Sequence, residues 1–293
     1  MKEGTRGLNK LMVKSIRINY LLYGLLMYVL GICIAVYLNL QIDWINVLLG
    51  YLAILLLQIL EGLIGLTKAK PVLIQDHKEI TKRQTLLAVI AVLMMVLAFL
   101  LVSLLLRGGL TGAGWLFMLI IGLICILRPS SSFSGKLVAF HEVFDAVLVV
   151  GIIPMFAFNI ISGELHTFLV FITLPLFFIF LGTQIALSYP KYSKELTKNI
   201  PSLLIQIGWQ RGIFLHNILV FTGFLSLGIF GMIGLPWALL WPTMIVSLIG
   251  IFEIILLHRI GEGYKPNWKL LKLVAHGLIG LSTYTMIFSL LIN

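Results

Sequence analysis

Residues Thr85–Leu106 read TLLAVIAVLMMVLAFLLVSLLL, and this stretch decides the class of fold. Its 22 positions contain no charged side chain, and one threonine and one serine are its only polar residues. A helix needs about 20 apolar residues to cross the hydrocarbon core of a bilayer, because it rises about 1.5 Å per residue. A stretch of this length and composition therefore predicts a transmembrane helix.

The rest of the chain has the same character. Of its 293 residues, 60% are hydrophobic and 11% are charged, and its mean hydropathy is +1.09. A soluble domain of this size exposes too much surface to be covered by so few charged residues. The composition therefore predicts an integral membrane protein. It excludes nucleic-acid-binding domains, secreted disulfide scaffolds and soluble Rossmann-type enzymes.

Nine stretches are long and apolar enough to be membrane spans, and each is bounded by charged residues, Pro, Gly or Trp. They are Ile18–Leu38, Trp44–Leu66, Thr85–Leu106, Thr111–Leu127, Val143–Ile161, Phe168–Ser188, Ile213–Phe230, Pro236–Leu257 and Leu271–Leu291. We therefore expect an all-α, polytopic membrane protein with about nine transmembrane helices. Residues 18–293 are expected to form a single transmembrane helical domain, and residues 1–17 a basic N-terminal arm.

The basic residues alternate between the two ends of these spans. Twenty of the 21 Lys and Arg residues fall in the N-terminal arm or in the connections after spans two, four, six and eight, and Arg107 alone falls on the other side. Because Lys and Arg accumulate in cytoplasmic loops, this pattern predicts a cytoplasmic N-terminus and a multi-pass protein of the cell membrane. It also accounts for the net charge of +10 without nucleic acid as a partner.

Four carboxylates lie within the predicted spans or at their ends, where ionisable side chains are rare unless they face a partner or a cavity. Glu61 lies in the second span one turn after Gln58, and Glu253 lies in the eighth. Glu142 and Asp145 are three residues apart at the start of the fifth. These groups either hydrogen-bond neighbouring helices or form a functional site. We favour the first interpretation for Glu253, and for the others both interpretations stay open.

Two connections on the predicted cytoplasmic side are long and polar, Thr67–Gln84 after the second span and Tyr189–Gly212 after the sixth. Orientation in the membrane and attraction to anionic lipids explain most of their lysines without a specific ligand. Their position over the bundle favours a second interpretation, in which they neutralise an anionic headgroup or a diphosphate. The lysines concerned are Lys68, Lys70, Lys191, Lys194 and Lys198.

Three segments resemble UbiA-type intramembrane prenyltransferases, and they occur in the order of that family. Lys68–Pro71 followed by Glu79–Leu87 resembles the stretch after the family's first aspartate-rich motif. Ser132–Lys136 with Phe140–Val143 resembles the segment that enters the fifth helix in the naphthoate and quinone prenyltransferase branch. Thr197–Gly208 takes the place of the family's G-K-x-T-L … L-G segment. The resemblance implies a UbiA-like bundle of nine spans.

The resemblance also implies a Mg²⁺ cofactor held by two aspartate-rich motifs, which neutralises an isoprenoid diphosphate. Both motifs are degenerate in this chain. The corresponding positions are Leu56, Leu60 and Ile64 in the first motif, and Lys191 and Glu195 in the second. Glu61 is the nearest carboxylate to the first motif but is one residue out of register. Because the aspartates are absent, the family's metal-dependent step does not transfer to this chain.

The resemblance and the polar residues together predict a site with three groups of residues. The candidate catalytic residues are Glu61, Glu142 and Asp145; the candidate substrate-binding residues are Gln58, Lys68, Lys70, Gln184, Lys191, Lys194 and Lys198; and the candidate metal ligand is Glu195.

Two functions remain open on this basis. The first is an enzyme that transfers an isoprenoid chain from a diphosphate donor to a lipid-soluble acceptor. The second is a non-catalytic membrane protein that binds an isoprenoid or a quinone and has lost the metal motifs. A transporter has less support, because the sequence shows no pair of broken helices at corresponding positions of its two halves.

Overall fold

The computed structural model describes the backbone of residues 18–68, 77–107, 110–127, 140–198 and 200–293. Side chains are described in these ranges except at residues 65–68, 77–84, 106–107 and 126–127. The N-terminal arm, Lys70 and the segment Ser132–Lys136, which carried predictions, lie outside the described residues. All regular structure in the described part of the chain is helical.

The helices are numbered here in chain order. They are α1 Ile18–Tyr37, α2 Trp44–Lys68, α3 His77–Arg107, α4 Gly112–Leu127, α5 His141–Ala146, α6 Ile153–Ser162, α7 Thr167–Ser188, α8 Tyr192–Thr197, α9 Leu203–Ile207, α10 Trp209–Ile233, α11 Trp237–Ile245, α12 Ser247–Gly261 and α13 Trp268–Ile292. A π-helical segment, Val147–Ile152, joins α5 to α6. A 3₁₀ turn, Tyr189–Lys191, joins α7 to α8.

Each predicted span coincides with one helix or with two helices in line. Within the described ranges, eight of these helical stretches are long and apolar enough to cross a membrane. The remaining one, α4, has 16 residues, and its length of about 24 Å is shorter than a hydrocarbon core of about 30 Å. The prediction of an all-helical, multi-pass membrane protein is confirmed, whereas its orientation in the membrane stays a prediction.

Small residues allow the central helices to approach closely. α1 packs against α6 and α13, and α7 packs against α10 and α13. A Cβ atom added at Gly31 of α1 would lie only 2.4 Å from the backbone oxygen of Pro154 in α6. A Cβ added at Gly223 of α10 would lie 3.0 Å from the backbone oxygen of Pro175 in α7. Such contacts are typical of membrane helices, whose association depends on close van der Waals packing.

Two spans are not continuous α-helices, and neither irregularity was predicted. In the fifth span, Pro154 lies in the first turn of α6, directly after the π-helical segment. Proline has no N–H to donate to the preceding turn, and a local π-type widening is one way a helix accommodates this. In the eighth span, α11 ends at Ile245 and α12 begins at Ser247. Both irregularities change the direction in which the following side chains point.

Candidate functional site

The basic end of the bundle is the end at which α7 ends and α10 begins. Because successive spans run in opposite directions, α2, α7 and α12 all end on this side of the bundle, and the connections after α7 and α12 lie there. Eight Lys and Arg side chains are described in the connections after α7 and α12 and at the adjoining helix ends, and all eight are exposed. They are Lys191, Lys194, Lys198, Arg211, Arg259, Lys265, Lys269 and Lys272. This is the end predicted to be cytoplasmic.

The connection between α7 and α10 is held against the bundle by aromatic contacts. Tyr189 is buried, and its hydroxyl donates a hydrogen bond to the backbone oxygen of Trp209 at 3.0 Å. The ring of Tyr192 also packs edge-on against Trp209, with 5.2 Å between the centroids. A Cβ at Gly212 would lie 2.6 Å from the Tyr189 hydroxyl, so glycine makes room for this contact. The connection therefore covers the helices below it.

Glu142 is the centre of a buried polar cluster beside this connection. Its side chain is buried, and its Oε1 atom accepts a hydrogen bond from Ser188 Oγ at 3.4 Å. Ser188 Oγ also donates to the backbone oxygen of Gln184 at 3.0 Å. The Glu142 Oε2 atom lies 3.2 Å from His141 Nδ1, and the backbone N–H of Leu203 faces the same carboxylate. Glu142 thus connects α5, α7 and α9.

Two further carboxylates lie near Glu142. Asp145 is one turn later on α5 and is buried, and Glu195 comes from α8 with its Oε2 atom enclosed. Both are close enough to Glu142 to repel it electrostatically. We call Glu142, Asp145 and Glu195 the acidic cluster. Like charges that are removed from water raise each other's energy, so the cluster is suited to stabilise a positive charge or to accept a proton.

The lysines of the connection after α7 lie outside the acidic cluster. Lys191 ends the 3₁₀ turn, Lys194 lies in α8 and Lys198 follows α8, and all three are exposed. Glu195 of the same helix is partly buried. The connection therefore presents a row of positive charges to water and a carboxylate to the protein interior. We call these three residues the lysine row.

A second group of polar residues lies deeper in the bundle. Glu61, His216, Glu253 and His276 come from α2, α10, α12 and α13, and each is seven or eight residues from the basic end of its helix. This distance corresponds to about 10–12 Å along the helix axis. We call these four residues the deep layer. Ionisable residues at such depth are uncommon unless they face one another or a cavity.

Residues of the deep layer form two pairs of contacts between neighbouring helices, one within the layer and one with residues of α1. The Nε2 atom of His216 lies 3.5 Å from Oε1 of Glu253, and both side chains are fully buried. His276 hydrogen-bonds to the Tyr23 hydroxyl, and its Nε2 atom lies 3.1 Å from Nδ2 of Asn19. The first pair joins α10 to α12, and the second joins α13 to α1.

The sequence analysis did not identify His216 as a functional candidate, and the ionisable residues nearest to Glu253 in the sequence are His258 and Arg259. In the structure His258 lies 3.3 Å from Glu262 instead, and both of those side chains are exposed. A signal for the correct partner was present. His216 and Glu253 lie at nearly equal distances from the same end of two neighbouring antiparallel spans. Matching residues by depth leaves His216 and His276 as candidate partners of Glu253, and the structure selects His216.

The candidates on α2 lie away from the turn that carries Glu142. Gln58 and Glu61 are both buried. Gln58 packs against α1 at Gly24, where a Cβ would lie 2.5 Å from the Gln58 Nε2 atom. The side chain of Lys68, at the end of the same helix, lies outside the described residues. The structure thus brings Glu142, Asp145 and Glu195 together and places the α2 residues deeper in the bundle.

The described residues do not fit the Mg²⁺ site that the resemblance implies. Leu56, Leu60 and Ile64 present apolar side chains where the first motif has its ligands. Among the residues with described side chains, no three His, Cys, Asp or Glu groups are placed to hold a metal ion together. Mg²⁺ requires several oxygen ligands in near-octahedral geometry. The described residues therefore do not provide the ligand set that Mg²⁺ requires.

No protein-family model matches the chain, and no curated protein matches it by sequence. Its three-dimensional structure is similar to that of a digeranylgeranylglyceryl phosphate synthase in membranes, with a TM-score of 0.63 over 97% of each chain. The two sequences are 14% identical, so the similarity shows the fold and does not distinguish the naphthoate and quinone branch from others. The chain therefore shares its fold with that membrane synthase.

Proposed function

We propose that the chain is a diverged prenyltransferase whose reaction takes place at the basic end and does not use the family's metal motifs. One observation carries the proposal: the buried Glu142 and Asp145 of α5 lie near Glu195, which belongs to the connection that bears the lysine row. The shared fold suggests the class of reaction, and the site residues suggest how this chain performs it. The donor is an isoprenoid diphosphate, and the acceptor is a lipid-soluble nucleophile.

The lysine row supports binding of the donor's diphosphate. Lys191, Lys194 and Lys198 place three exposed positive charges within eight residues of the connection after α7, at the predicted cytoplasmic surface. Ammonium groups form charge-assisted hydrogen bonds with phosphate oxygens and attract anionic substrates over a distance. The isoprenoid chain would then extend between the apolar helices, where it avoids water.

The acidic cluster supports the chemical step. The bond between the first prenyl carbon and the diphosphate oxygen breaks, and the electron pair leaves with the diphosphate toward the lysine row. The carboxylates of Glu142 and Glu195 stabilise the positive charge that develops on the prenyl group. The acceptor's nucleophilic atom forms the new bond to that carbon. Its proton passes to Glu142 and then to water or to the released diphosphate.

Incubation of the purified protein with radiolabelled geranyl, farnesyl or geranylgeranyl diphosphate tests this proposal. Quinone precursors and glycerol-based lipids serve as acceptors. We expect prenylated product in the presence of EDTA as well as in the presence of Mg²⁺. Product formation that requires Mg²⁺ would contradict the metal-independent step, and the absence of product with every donor and acceptor would exclude the enzyme.

Variants distinguish the role of the acidic cluster from that of the lysine row. Glu142→Gln is expected to lower kcat about a hundredfold, because it removes the proton acceptor. Combined replacement of the lysine row by alanine is expected to raise the KM for the donor about tenfold, because it removes three attractive charges. Lys265→Ala is the matched control, since Lys265 is an exposed lysine of a different connection at the same end. It should leave both constants unchanged.

A non-catalytic isoprenoid-binding or quinone-binding protein is the second candidate. The apolar side chains of Leu56, Leu60 and Ile64 favour it, because they replace ligands that the metal-dependent reaction needs. In that case mass spectrometry of the purified protein should identify a bound isoprenoid or quinone. The bound lipid should remain chemically unchanged when donors and acceptors are added.

A further inference from the structure

A cavity of about 230 Å³ lies at the end of the bundle opposite the basic end. Its walls come from the start of α2, the end of α3, the entry to α4 and the last turn of α6. Its polar side chains are those of Asn46, Thr111, Asn159 and Ser162, and the rest of its described lining is Leu105, Leu110, Ile160, Ile161 and Gly163. We call this space the far-end cavity. Glu142, Glu195 and the lysine row are not among its lining residues.

Asn159 is the group in this lining that requires a partner. Its side chain is 2% exposed. The Thr111 hydroxyl donates a hydrogen bond to its Oδ1 atom at 2.9 Å, whereas its Nδ2 atom has no hydrogen-bond partner among the described residues. If the amide group is flipped by 180°, the Thr111 hydroxyl accepts a hydrogen bond from Nδ2, and Oδ1 is the atom without a partner among the described residues. In either orientation one polar atom of the buried amide is left without a partner among the described residues.

The surrounding backbone holds this amide in place. The backbone N–H of Gly114 donates to the Thr111 hydroxyl at 3.3 Å, which positions that hydroxyl at the start of α4. A Cβ at residue 114 would lie 2.9 Å from Asn159 Oδ1, so glycine leaves space for the amide. On the other side, α6 ends at Ser162, and Gly163 adopts a left-handed conformation with φ of 74°. The amide is therefore preorganised by contacts on two helices.

The chemistry of the lining indicates the class of ligand. Among the described residues that line the cavity none carries a charge, and their polar side chains are amides and hydroxyls, which both donate and accept hydrogen bonds. An ionic headgroup would be desolvated there without a counter-charge, which is unfavourable. An uncharged group with several hydroxyls satisfies such a lining. The volume equals that of about seven or eight water molecules at ~30 Å³ each, which suits a group the size of glycerol.

The position of the cavity connects it to the membrane surface. Its residues lie at the ends of spans, and Trp44 at the adjacent start of α2 is exposed. Tryptophan at a span end is typical of the level of the lipid headgroups. We propose that the far-end cavity binds an uncharged polyol group, either the headgroup of a neutral glycerolipid or a free polyol, through the amide of Asn159. This site is independent of the reaction proposed at the basic end.

The test uses the full-length protein in phosphatidylcholine nanodiscs. Monoolein carries the glycerol group on a lipid, and free glycerol presents the same group in water. Native mass spectrometry measures retained monoolein, and thermal unfolding measures protection by either ligand. Binding of monoolein alone would assign the site to a lipid headgroup, whereas protection by glycerol as well would assign it to the polyol group itself.

Two variants test the cavity at different residues. Asn159→Leu removes the amide and keeps the branching and the number of heavy atoms of the side chain, and Leu110→Trp fills the space while Asn159 remains. Each is expected to lower monoolein occupancy about tenfold, which is the effect of losing one good hydrogen bond or the space for it. If Asn159→Leu fails to fold, Leu110→Trp decides the result. Equal binding by the folded variants and the natural protein, or no binding of either probe by the natural protein, would overturn the proposal and leave a cavity that holds water.

Discussion

The third and fifth spans show two different ways in which apolar helices are used in this protein. In an 18-residue window of α3 within Thr85–Leu105, the mean hydropathy is 3.1 and 17% of the residues are buried. In the corresponding window of the fifth span, within His141–Ser162, the mean hydropathy is 2.2 and 67% of the residues are buried. The more hydrophobic helix is thus the less enclosed one. Since lipid tails are as apolar as leucine, hydropathy alone does not draw a helix into the centre of a bundle.

The enclosed span carries the features that a lipid-facing helix does not tolerate. Glu142, Asp145 and Asn159 are all buried within it, and its π-helical segment interrupts the regular hydrogen-bond pattern. Polar side chains and irregular backbone are accepted in a membrane protein where neighbouring helices or a cavity satisfy them. Polar groups in a span therefore indicate enclosure, and they mark both sites proposed above.

The largest expected difference comes from the same substitution placed in the two spans. Phe156 of the fifth span is fully buried, and Phe99 of α3 is 70% exposed. Phe156→Ala should lower the free energy of unfolding by about 3 kcal/mol, because it leaves a cavity among packed helices. Phe99→Ala should change it by less than about 0.5 kcal/mol, because lipid or detergent fills the space. SDS titration in mixed micelles measures both values, and equal losses would contradict the comparison.

A smaller effect is expected where the fifth span touches α1. Gly31→Ala places a methyl group against the backbone of Pro154 and should destabilise the protein by about 2 kcal/mol through overpacking. Gly122→Ala on α4 is the matched control, because a Cβ there meets no atom within 4 Å. Thermal unfolding in detergent should show a lower Tm for the first variant alone. A similar Tm for both would mean that the helices move apart at little cost.

The smallest effect concerns two serines in different surroundings. Ser188→Ala removes a hydrogen bond to the buried Glu142 and should lower the free energy of unfolding by about 1 kcal/mol. Ser103→Ala on α3 removes a hydroxyl that bonds only the carbonyl of Leu100 in its own helix. The control should stay within about 0.5 kcal/mol of the natural protein. If Ser103→Ala costs as much as Ser188→Ala, the hydrogen bond across helices has no special importance.

Much of the architecture was predictable, because crossing a membrane depends on local composition. All nine stretches that the sequence singled out are helical, and Glu142 and Asp145 share a face because residues three apart do so on any α-helix. The approach of Glu195 was suggested only by resemblance. It depends on how the connection after α7 is placed relative to α5, and no local pattern specifies that placement.

Contacts between residues far apart in the sequence, and the cavity that such residues line, could not be predicted from local sequence patterns. His276 hydrogen-bonds to Tyr23 although 253 positions separate them in the chain. The far-end cavity involves Asn46, Thr111 and Asn159, which belong to three different spans and which none of the predictions named as a site. A cavity is a property of how helices fail to fill space between them, and that depends on every neighbouring side chain at once.

The sequence by itself determined that this chain enters a membrane, how many times it is expected to cross, and which end is basic, because each of these follows from sums over neighbouring residues. Only the tertiary structure decided which spans face lipid, which carboxylates meet, and where polar groups remain for a ligand. The physical reason is that a bilayer selects helices for their hydrophobicity, whereas packing within the bilayer depends on shape and on hydrogen bonds between residues far apart in the chain.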